Sequence, residues 1–244
     1  MTTETSHTAT DLFERMRATN PLVQCITNYV AMNYAANVLL AAGASPAMVH
    51  TPEESGEFAA IAGALTVNIG TLSPSWVEGM ITAAKSANDA EKPWVLDPVA
   101  HFATGYRRNA VAGLLKLNPT VIRGNASEII ALGGGQSAGQ GVDSGDPVEQ
   151  AEDAARSLAS SQGCVVAVTG AVDFVTDGTR SVRIAGGSYL MPKITATGCS
   201  LTALVGAYLA IAPDQAFDAT VAALGNFAVA GEIAARRQTV RHPL

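Results

Sequence analysis

The sequence predicts a three-layer α/β domain, with a mostly parallel central sheet and helices on both faces. Four short β-branched runs are apolar throughout, as expected for strands that are buried on both faces. Segments of helical length separate these runs, and such alternation builds a parallel sheet through right-handed crossovers. The strand runs cover residues 64–70, 93–99, 119–125 and 163–170, and the helical segments cover 73–88, 106–117 and 146–161.

Residues 173–187 depart from this alternation and predict a hairpin at the sheet edge. The segment reads DFVTDGTRSVRIAGG, and its Asp177–Gly178 pair is a typical hairpin turn.

The chain after Cys199 is predicted to be helical. Apolar residues recur there at i, i+3, i+4, i+7 and i+8, which predicts one apolar helix face. They are Leu201, Leu204, Val205, Tyr208 and Leu209. Pro213 and Asp214 end this helix, and another is expected over 214–237. With no linker and no repeat, we expect one domain over 1–244, with flexible ends at 1–9 and 238–244.

Composition narrows the function classes. A hydrophobic fraction of 48% with 15% charged residues is typical of a large folded core. The net charge of −6 and the lack of a basic stripe argue against a nucleic-acid partner. Three cysteines without C-x-x-C spacing indicate a reducing compartment. Because no segment resembles a signal peptide or a membrane span, we expect a cytoplasmic protein without membrane contact.

Polar side chains follow the predicted strands, where ligands of open parallel sheets bind. A carboxylate pair beside an arginine is suited to a magnesium–phosphate site. Each of these residues taken alone is also typical of a cap or a turn. They are Asn68 and Thr71 after the first run, Asp97 after the second, Arg123, Asn125 and Glu128 after the third, and Thr169 and Gly170 after the fourth.

The stretch KITATGCSLT, residues 193–202, precedes a long apolar helix. Threonine favours helix N-caps, and glycine allows a close approach to the backbone. Because the first turn of a helix attracts anions, the stretch predicts an anion site with Cys199 beside it. An ordinary turn with a buried structural cysteine is the alternative.

Two other patterns carry less weight. GQSAG at 135–139 matches the G-x-S-x-G nucleophile elbow, but a helix instead of a strand precedes it, which argues against a hydrolase. A cysteine hydrolase would need His50 or His101 to activate Cys199. The sequence has no Walker P-loop, so any ATP site must be built differently.

With these residues collected, the chain resembles the hydroxyethylthiazole kinases of thiamine salvage over about residues 10–235. The resemblance is strongest in the N-terminal block 21–54, in GNASE and in TGC. The matching segments are PLVQCITNYVAMNYAANVLLAAGASPAMVHTPEE, VNIGTL, VLDPVA, VIRGNASEI, GVDS, VAVTGAVDFVTDG and ITATGCS.

The resemblance implies a ribokinase-like fold and ATP-dependent phosphorylation of 4-methyl-5-(2-hydroxyethyl)thiazole. It also implies Mg²⁺ and a homotrimer with thiazole bound where two subunits meet. The roles carried over are thiazole binding by Met48, Ala196, Asn28 and Asn33, ATP binding by Arg123 and Thr169, metal binding by Glu128 and Asp97, and catalysis by Cys199 and Gly198.

Cys199 stands where most ribokinase-like kinases have an aspartate that takes the proton of the alcohol. A thiol with a pKa of about 8.5 is mostly protonated at neutral pH, although the helix N-terminus is expected to lower this value. Cys199 is therefore either a modest base or a group that holds the alcohol in place. Ala196 and Gln24 depart from the glycine and the histidine that are common in the family.

Two alternatives stay open at this point. The first is another ribokinase-like activity, such as a hydroxymethylpyrimidine or pyridoxal kinase or a nucleotide-dependent hydrate dehydratase. The second is a catalytically weak sensor that binds thiazole or ATP. The N-terminal block argues against the first, and the paired carboxylates Asp97 and Glu128 argue against the second.

Overall fold

A computed structural model describes residues 3–135 and 146–239 of the chain. In these two ranges it has one eight-stranded sheet flanked by helices. The strands are β1 (Leu22–Ile26), β2 (Ser45–Ala47), β3 (Ala64–Asn68), β4 (Trp94–Asp97), β5 (Val121–Asn125), β6 (Val165–Thr169), β7 (Val172–Thr176) and β8 (Ser181–Ala185).

Nine α-helices lie in the described ranges, together with three short 3₁₀ turns at 101–103, 191–193 and 213–215. The helices are α1 (Thr3–Thr19), α2 (Met32–Ala42), α3 (Pro52–Ile61), α4 (Pro74–Asp89), α5 (Gly105–Leu115), α6 (Ala126–Leu132), α7 (Val148–Gln162), α8 (Thr197–Ile211) and α9 (Ala216–Thr239).

The strands lie in the order β2-β1-β3-β4-β5-β6-β7-β8. The first six are parallel, and β7 and β8 are antiparallel to their neighbours. The chain passes from β1 to the edge strand β2 and then returns past β1 to β3. The order of the strands therefore reverses at β1, and ligands of open α/β sheets bind at the carboxyl ends of strands beside such a point.

The four predicted strand runs correspond to β3, β4, β5 and β6, and the predicted fold class is confirmed. The predicted hairpin is β7–β8. Its turn closes on Asp177, whose carboxylate accepts hydrogen bonds from the N–H groups of Thr179 at 2.9 Å and Arg180 at 2.7 Å.

Alternate strand residues face two separate apolar cores because strand side chains alternate between the two faces of a sheet. Val23 and Cys25 of β1, for example, face the core formed with α1, α2, α8 and α9. Ile26 faces the other core, to which α3, α4, α5, α6 and α7 contribute. The sheet is thus covered on both faces, which explains its apolar strands.

Helix α8 differs from the amphipathic helix that the spacing predicts. Polar and small residues between the apolar positions, among them Thr202, Ala203, Gly206 and Ala207, are buried as well. The helix packs against β1, β3 and β4 on one side and against α1, α2 and α9 on the others. No side of α8 is left to water over Ser200–Leu209, so the prediction of a single apolar face was wrong.

The flexible ends expected at 1–9 and 238–244 stay a prediction. Helix α1 begins at Thr3, inside the stretch 1–9 for which a flexible end is expected, and Ala9 is buried in the core. Helix α9 runs to Thr239. Most of GQSAG and all of GVDS lie outside the described residues. None of the helices in the described ranges is long and apolar enough to cross a bilayer.

Candidate active site

A cavity of about 1050 Å³ lies at the carboxyl ends of the parallel strands. Residues at or after the ends of β1, β3, β4, β5 and β6 line it, together with the first turn of α8. The cavity brings together eight of the ten predicted site residues, namely Asn28, Asp97, Arg123, Glu128, Thr169, Ala196, Gly198 and Cys199.

Asp97 ends β4 and is 1% exposed. Its Oδ2 accepts hydrogen bonds from Asn68 Nδ2 and Thr202 Oγ1, each at 2.7 Å, and lies 3.6 Å from Nη1 of Arg123. Its Oδ1 is buried and has no hydrogen-bond partner among the described residues. Burial raises the pKa of Asp97, and the Arg123 charge and the two hydrogen bonds oppose that rise.

Arg123 extends from β5 across the end of β6. Its Nη2 donates to Oγ1 of Thr169, and the Thr169 hydroxyl lies 3.3 Å from the Gly124 carbonyl oxygen. The guanidinium packs directly on Gly198, where an added Cβ would lie 2.8 Å from Nη1. Because Gly198 has no side chain, the Arg123 guanidinium can occupy the space beside it. The position of Arg123 therefore depends on a glycine at 198.

Glu128 belongs to a capping box at the start of α6. Oδ1 of Asn125 accepts from the Glu128 N–H at 2.9 Å, and Oε2 of Glu128 accepts from the Asn125 N–H at 2.8 Å. Oε1 accepts from the N–H of Ala100 at 2.9 Å. Burial, and then the charge of Asp97, raises the pKa of Glu128 to about 7. The N-x-x-E pattern thus holds a carboxylate rigidly at the cavity wall.

The first turn of α8 lines the cavity with Thr197, Gly198 and Cys199. The first helical hydrogen bond runs from the Ser200 N–H to the Ala196 carbonyl at 2.9 Å. The N–H groups of Thr197, Gly198 and Cys199 therefore precede the helical ladder, where anions bind. Ala196 enters this turn with φ 62° and ψ 7°, a left-handed conformation that favours glycine.

Cys199 points into the same cavity, and its Sγ accepts a hydrogen bond from Asn28 Nδ2 at 3.3 Å. Burial raises the pKa of the Cys199 thiol, and the charge of Asp97 adds to this effect. The Asn28 amide, the Arg123 charge and the Asn68 side chain oppose it. Burial thus outweighs the side chains that favour the thiolate, and the expected lowering of this pKa by the helix N-terminus stays a prediction.

The alternative interpretation, a buried structural cysteine, fits Cys25 and Cys164 better than it fits Cys199. Cys25 and Cys164 are buried, whereas Cys199 is partly exposed. Burial raises the pKa of Cys25 to about 11 and that of Cys164 to about 12.

Two predicted residues do not line the cavity of the single chain. Asn33 is exposed on α2, where its side-chain and backbone oxygens accept from Asn37. Met48 follows the edge strand β2 and packs partly buried against the core. Gln24 fastens the segment after Met48, since its Nε2 donates to the carbonyl of Val49 at 3.0 Å.

The cavity also contains residues that sequence reasoning did not select. Asp173, Lys193, Tyr189 and Phe227 line it, and Thr202 lies behind Asp97. Thr202 sits in the second turn of a buried helix and Lys193 in a 3₁₀ turn, so neither follows a strand. Thr202 and Lys193 could therefore not be predicted from the rule that ligands bind at the carboxyl ends of parallel strands.

Among the histidines whose side chains the structure describes, neither His50 nor His101 reaches the Cys199 thiol. His50 Nδ1 lies 3.1 Å from the carbonyl oxygen of Met48, and its ring packs on Trp76. His101 is buried beside Phe102, and neither His50 nor His101 lines the cavity. A cysteine–histidine hydrolase is therefore not supported. In the described part of the chain, no three metal-binding side chains converge.

Solved structures of distant proteins share this architecture. Pyridoxal kinase from Bacillus subtilis superposes with a TM-score of 0.62 at 19% identity, over 83% of this chain and 88% of that one. A ribokinase-like superfamily protein from Enterococcus faecalis gives a TM-score of 0.61 at 12% identity, over 92% and 81%. At such identities the likeness concerns the fold alone, and the fold is ribokinase-like.

Closer relatives identify the family. The family model described as the hydroxyethylthiazole kinase family matches residues 13–242. Hydroxyethylthiazole kinase of Rhizobium johnstonii is 72% identical over 95% of this chain and 87% of its own length. A hydroxyethylthiazole kinase structure from Pyrococcus horikoshii gives a TM-score of 0.84 at 38% identity, over 94% of this chain and 86% of that one.

The chain belongs to the hydroxyethylthiazole kinase family. Its reaction is the ATP-dependent phosphorylation of the hydroxyl group of hydroxyethylthiazole, a step of thiamine salvage. The resemblance seen in the sequence is thereby confirmed.

Proposed function

We propose that Asp97 and Glu128 hold the Mg²⁺ of this kinase. The observation that carries the proposal is the buried Oδ1 of Asp97, which no described group satisfies. The raised pKa of Glu128 supports it, because a cation beside two close carboxylates would favour their charged forms. Mg²⁺ is commonly bound by one or two carboxylates, with water and phosphate completing the shell.

The charges of the cavity support the same proposal. Its charged lining residues are three acids and two bases, namely Asp97, Glu128, Asp173, Arg123 and Lys193. A polyphosphate that binds in the cavity would therefore lie near more acidic than basic side chains. Asp97 and Glu128 would hold Mg²⁺ there, and the ion would supply positive charge that offsets the charge of the transferred group.

Arg123 and Thr169 are proposed to bind the polyphosphate of ATP. Their mutual hydrogen bond and the packing on Gly198 fix the guanidinium beside the first turn of α8. The N–H groups of Gly198 and Cys199 would then receive charge that develops on the transferred phosphoryl group. Preorganised donors of this kind are a major source of catalysis.

Cys199 is proposed to hold the thiazole alcohol in place, with the backbone of Ala196 on the substrate side. The raised pKa favours this role over that of a thiolate base. Phosphoryl transfer depends more on positioning and charge neutralisation than on covalent help, so a neutral thiol suffices.

We propose further that the chain forms a homotrimer in the cytoplasm. Met48 and Asn33 lie outside the cavity of one chain, so a thiazole pocket containing them requires a second subunit. Large apolar side chains near this region support an interface, since Tyr29, Val30 and Leu40 are 70%, 61% and 61% exposed. Three free cysteines fit a reducing compartment. Light scattering tests the trimer, and a monomer that is fully active at assay concentrations would contradict it.

The test of the metal site is ADP release with ATP, Mg²⁺ and 4-methyl-5-(2-hydroxyethyl)thiazole, with hydroxymethylpyrimidine and pyridoxal as competing alcohols. We expect turnover on the thiazole that EDTA abolishes. Asp97→Asn should raise the Mg²⁺ concentration needed for half-maximal rate, whereas Asp173→Asn should not. An equal Mg²⁺ requirement in both variants would contradict the assignment of Asp97.

A further inference from the structure

The side chain of Asn28 uses all of its hydrogen-bonding capacity within the protein. Its Oδ1 accepts from the N–H groups of Val30 and Ala31, each at 3.1 Å. Its Nδ2 donates one hydrogen to Asn68 Oδ1 at 2.8 Å and the other to Cys199 Sγ at 3.3 Å. A primary amide offers two donors and two acceptor sites, and all four are occupied. Asn28 is therefore suited to orienting Cys199 more than to hydrogen-bonding the thiazole.

The two backbone donors also settle how the Asn28 amide is turned. A flipped amide would point its NH₂ group at the N–H groups of Val30 and Ala31 and lose both bonds. The nitrogen must therefore face Asn68 and Cys199.

Asn68 connects this amide to the buried carboxylate of Asp97. It ends β3 directly beside Asp97, since the two residues are register partners on β3 and β4. Its Nδ2 donates to Asp97 Oδ2 at 2.7 Å, while its Oδ1 accepts from Asn28 and from the Gly70 N–H at 3.0 Å. Asn68 is 2% exposed and is not among the cavity-lining residues. Because it does not line the cavity, it acts on the reaction through Asn28, through Asp97 and through the Cys199 thiol, whose pKa a direct hydrogen bond with the Asn68 side chain lowers.

Val30 and Ala31 set which way the Asn28 amide faces. We infer that Asn68 is a positioning residue for phosphoryl transfer, because it accepts one of the two amide hydrogens and leaves the other directed at the sulfur of Cys199. Asn28 donates a hydrogen bond to Asn68, and Asn68 in turn donates one to the carboxylate of Asp97. Each amide in such a chain polarises the next, and its geometry is set by the one before. This inference rests on the proposed role of Cys199 at the alcohol.

A double-mutant cycle separates action through Cys199 from action through Asp97. Asn68→Ala, Cys199→Ala and the double variant are assayed for kcat and for the KM of ATP and thiazole. We expect Asn68→Ala to lower kcat by about five- to tenfold, the value of one hydrogen bond, with little change in the KM of ATP. In the Cys199→Ala background the same substitution should have no further effect.

An equal loss in both backgrounds would overturn the inference and show that Asn68 acts through Asp97 or through the fold. Full kcat in Cys199→Ala would overturn the proposed role of Cys199 itself and the inference with it, so the two failures are distinguishable. Asn226→Ala is the matched control. It removes an amide that bonds to the buried Tyr208, outside the cavity, and should lower the melting temperature without changing kcat.

Asn68→Ser provides a second variant if the alanine variant does not fold. Its hydroxyl group is too short to bridge Asp97 and Asn28 as the amide does, so the same cycle applies. A folded Asn68→Ser variant with unchanged kcat would overturn the inference.

Discussion

Ala196 offers a direct measurement of backbone strain at the candidate active site. Its φ of 62° places an L-residue in the left-handed region, immediately before the first turn of α8. This conformation costs an L-residue roughly 1–2 kcal/mol. Replacement by glycine removes that cost but adds about 0.5–1 kcal/mol of chain entropy lost on folding. We therefore expect Ala196→Gly to leave the free energy of unfolding unchanged or to raise it by about 1 kcal/mol.

The matched control is Ala112→Gly, in the interior of α5 and exposed. The same substitution in a right-handed helix should lower the free energy of unfolding by about 1 kcal/mol. For a chain of this size each kcal/mol moves the melting temperature by roughly 2–4 °C. Urea titration of wild type and both variants measures the difference between the two sites. If Ala196→Gly destabilises the protein as much as Ala112→Gly, the left-handed strain at Ala196 is refuted.

Three further predictions concern the site and its surroundings. Gly198→Ala places a Cβ 2.8 Å from Nη1 of Arg123, so we expect the KM of ATP to rise about tenfold. In the control variant Gly113→Ala the new Cβ has no atom within 4 Å, and the KM of ATP should stay unchanged. Cys199→Asp should retain or raise turnover, because a carboxylate can take the proton of the alcohol; a folded but inactive variant would contradict this reasoning. Burial lowers the pKa of His101 from 6.5 to about 4. The unfolded chain therefore protonates the imidazole more readily than the folded one. As the pH falls from 6.5 to about 4, the wild type should lose stability relative to His101→Phe. Urea midpoints at about pH 7.5 and about pH 5 check this difference, and an unchanged difference would count against it.

The central strands could be predicted from the sequence because burial on both faces makes them continuously apolar, whereas β7 and β8 were predicted from their Asp177–Gly178 turn. The runs at 64–70, 93–99, 119–125 and 163–170 became β3, β4, β5 and β6 with shorter bounds. No individual elements were assigned before residue 64, where β2 is only three residues long and contains Pro46. Helix α8 was misread because periodicity assumes a solvent face, and this helix has none.

The carboxyl-end rule located most of the candidate site, since Asp97 and Thr169 end their strands and Arg123 lies two residues before the end of β5. Asn68 was noted by the same rule, but its connection to Asn28 could not be foreseen from positions 40 residues apart. Thr202 escaped because a threonine inside a helix gives no signal of a buried carboxylate beside it. The raised pKa of Cys199 also depends on burial, which the sequence around it does not reveal.

The burial of α8 on every side has a consequence for the temperature range over which the site keeps its shape. The N–H groups of its first turn belong to a helix that packs on the sheet and on three other helices, so their positions are set when the domain folds. No separate ordering step is then needed before a phosphate can bind, and thermal motion in surface loops should disturb these donors little. We expect their geometry to persist until the domain unfolds as a whole, so that the loss of the anion site and the loss of the fold would coincide.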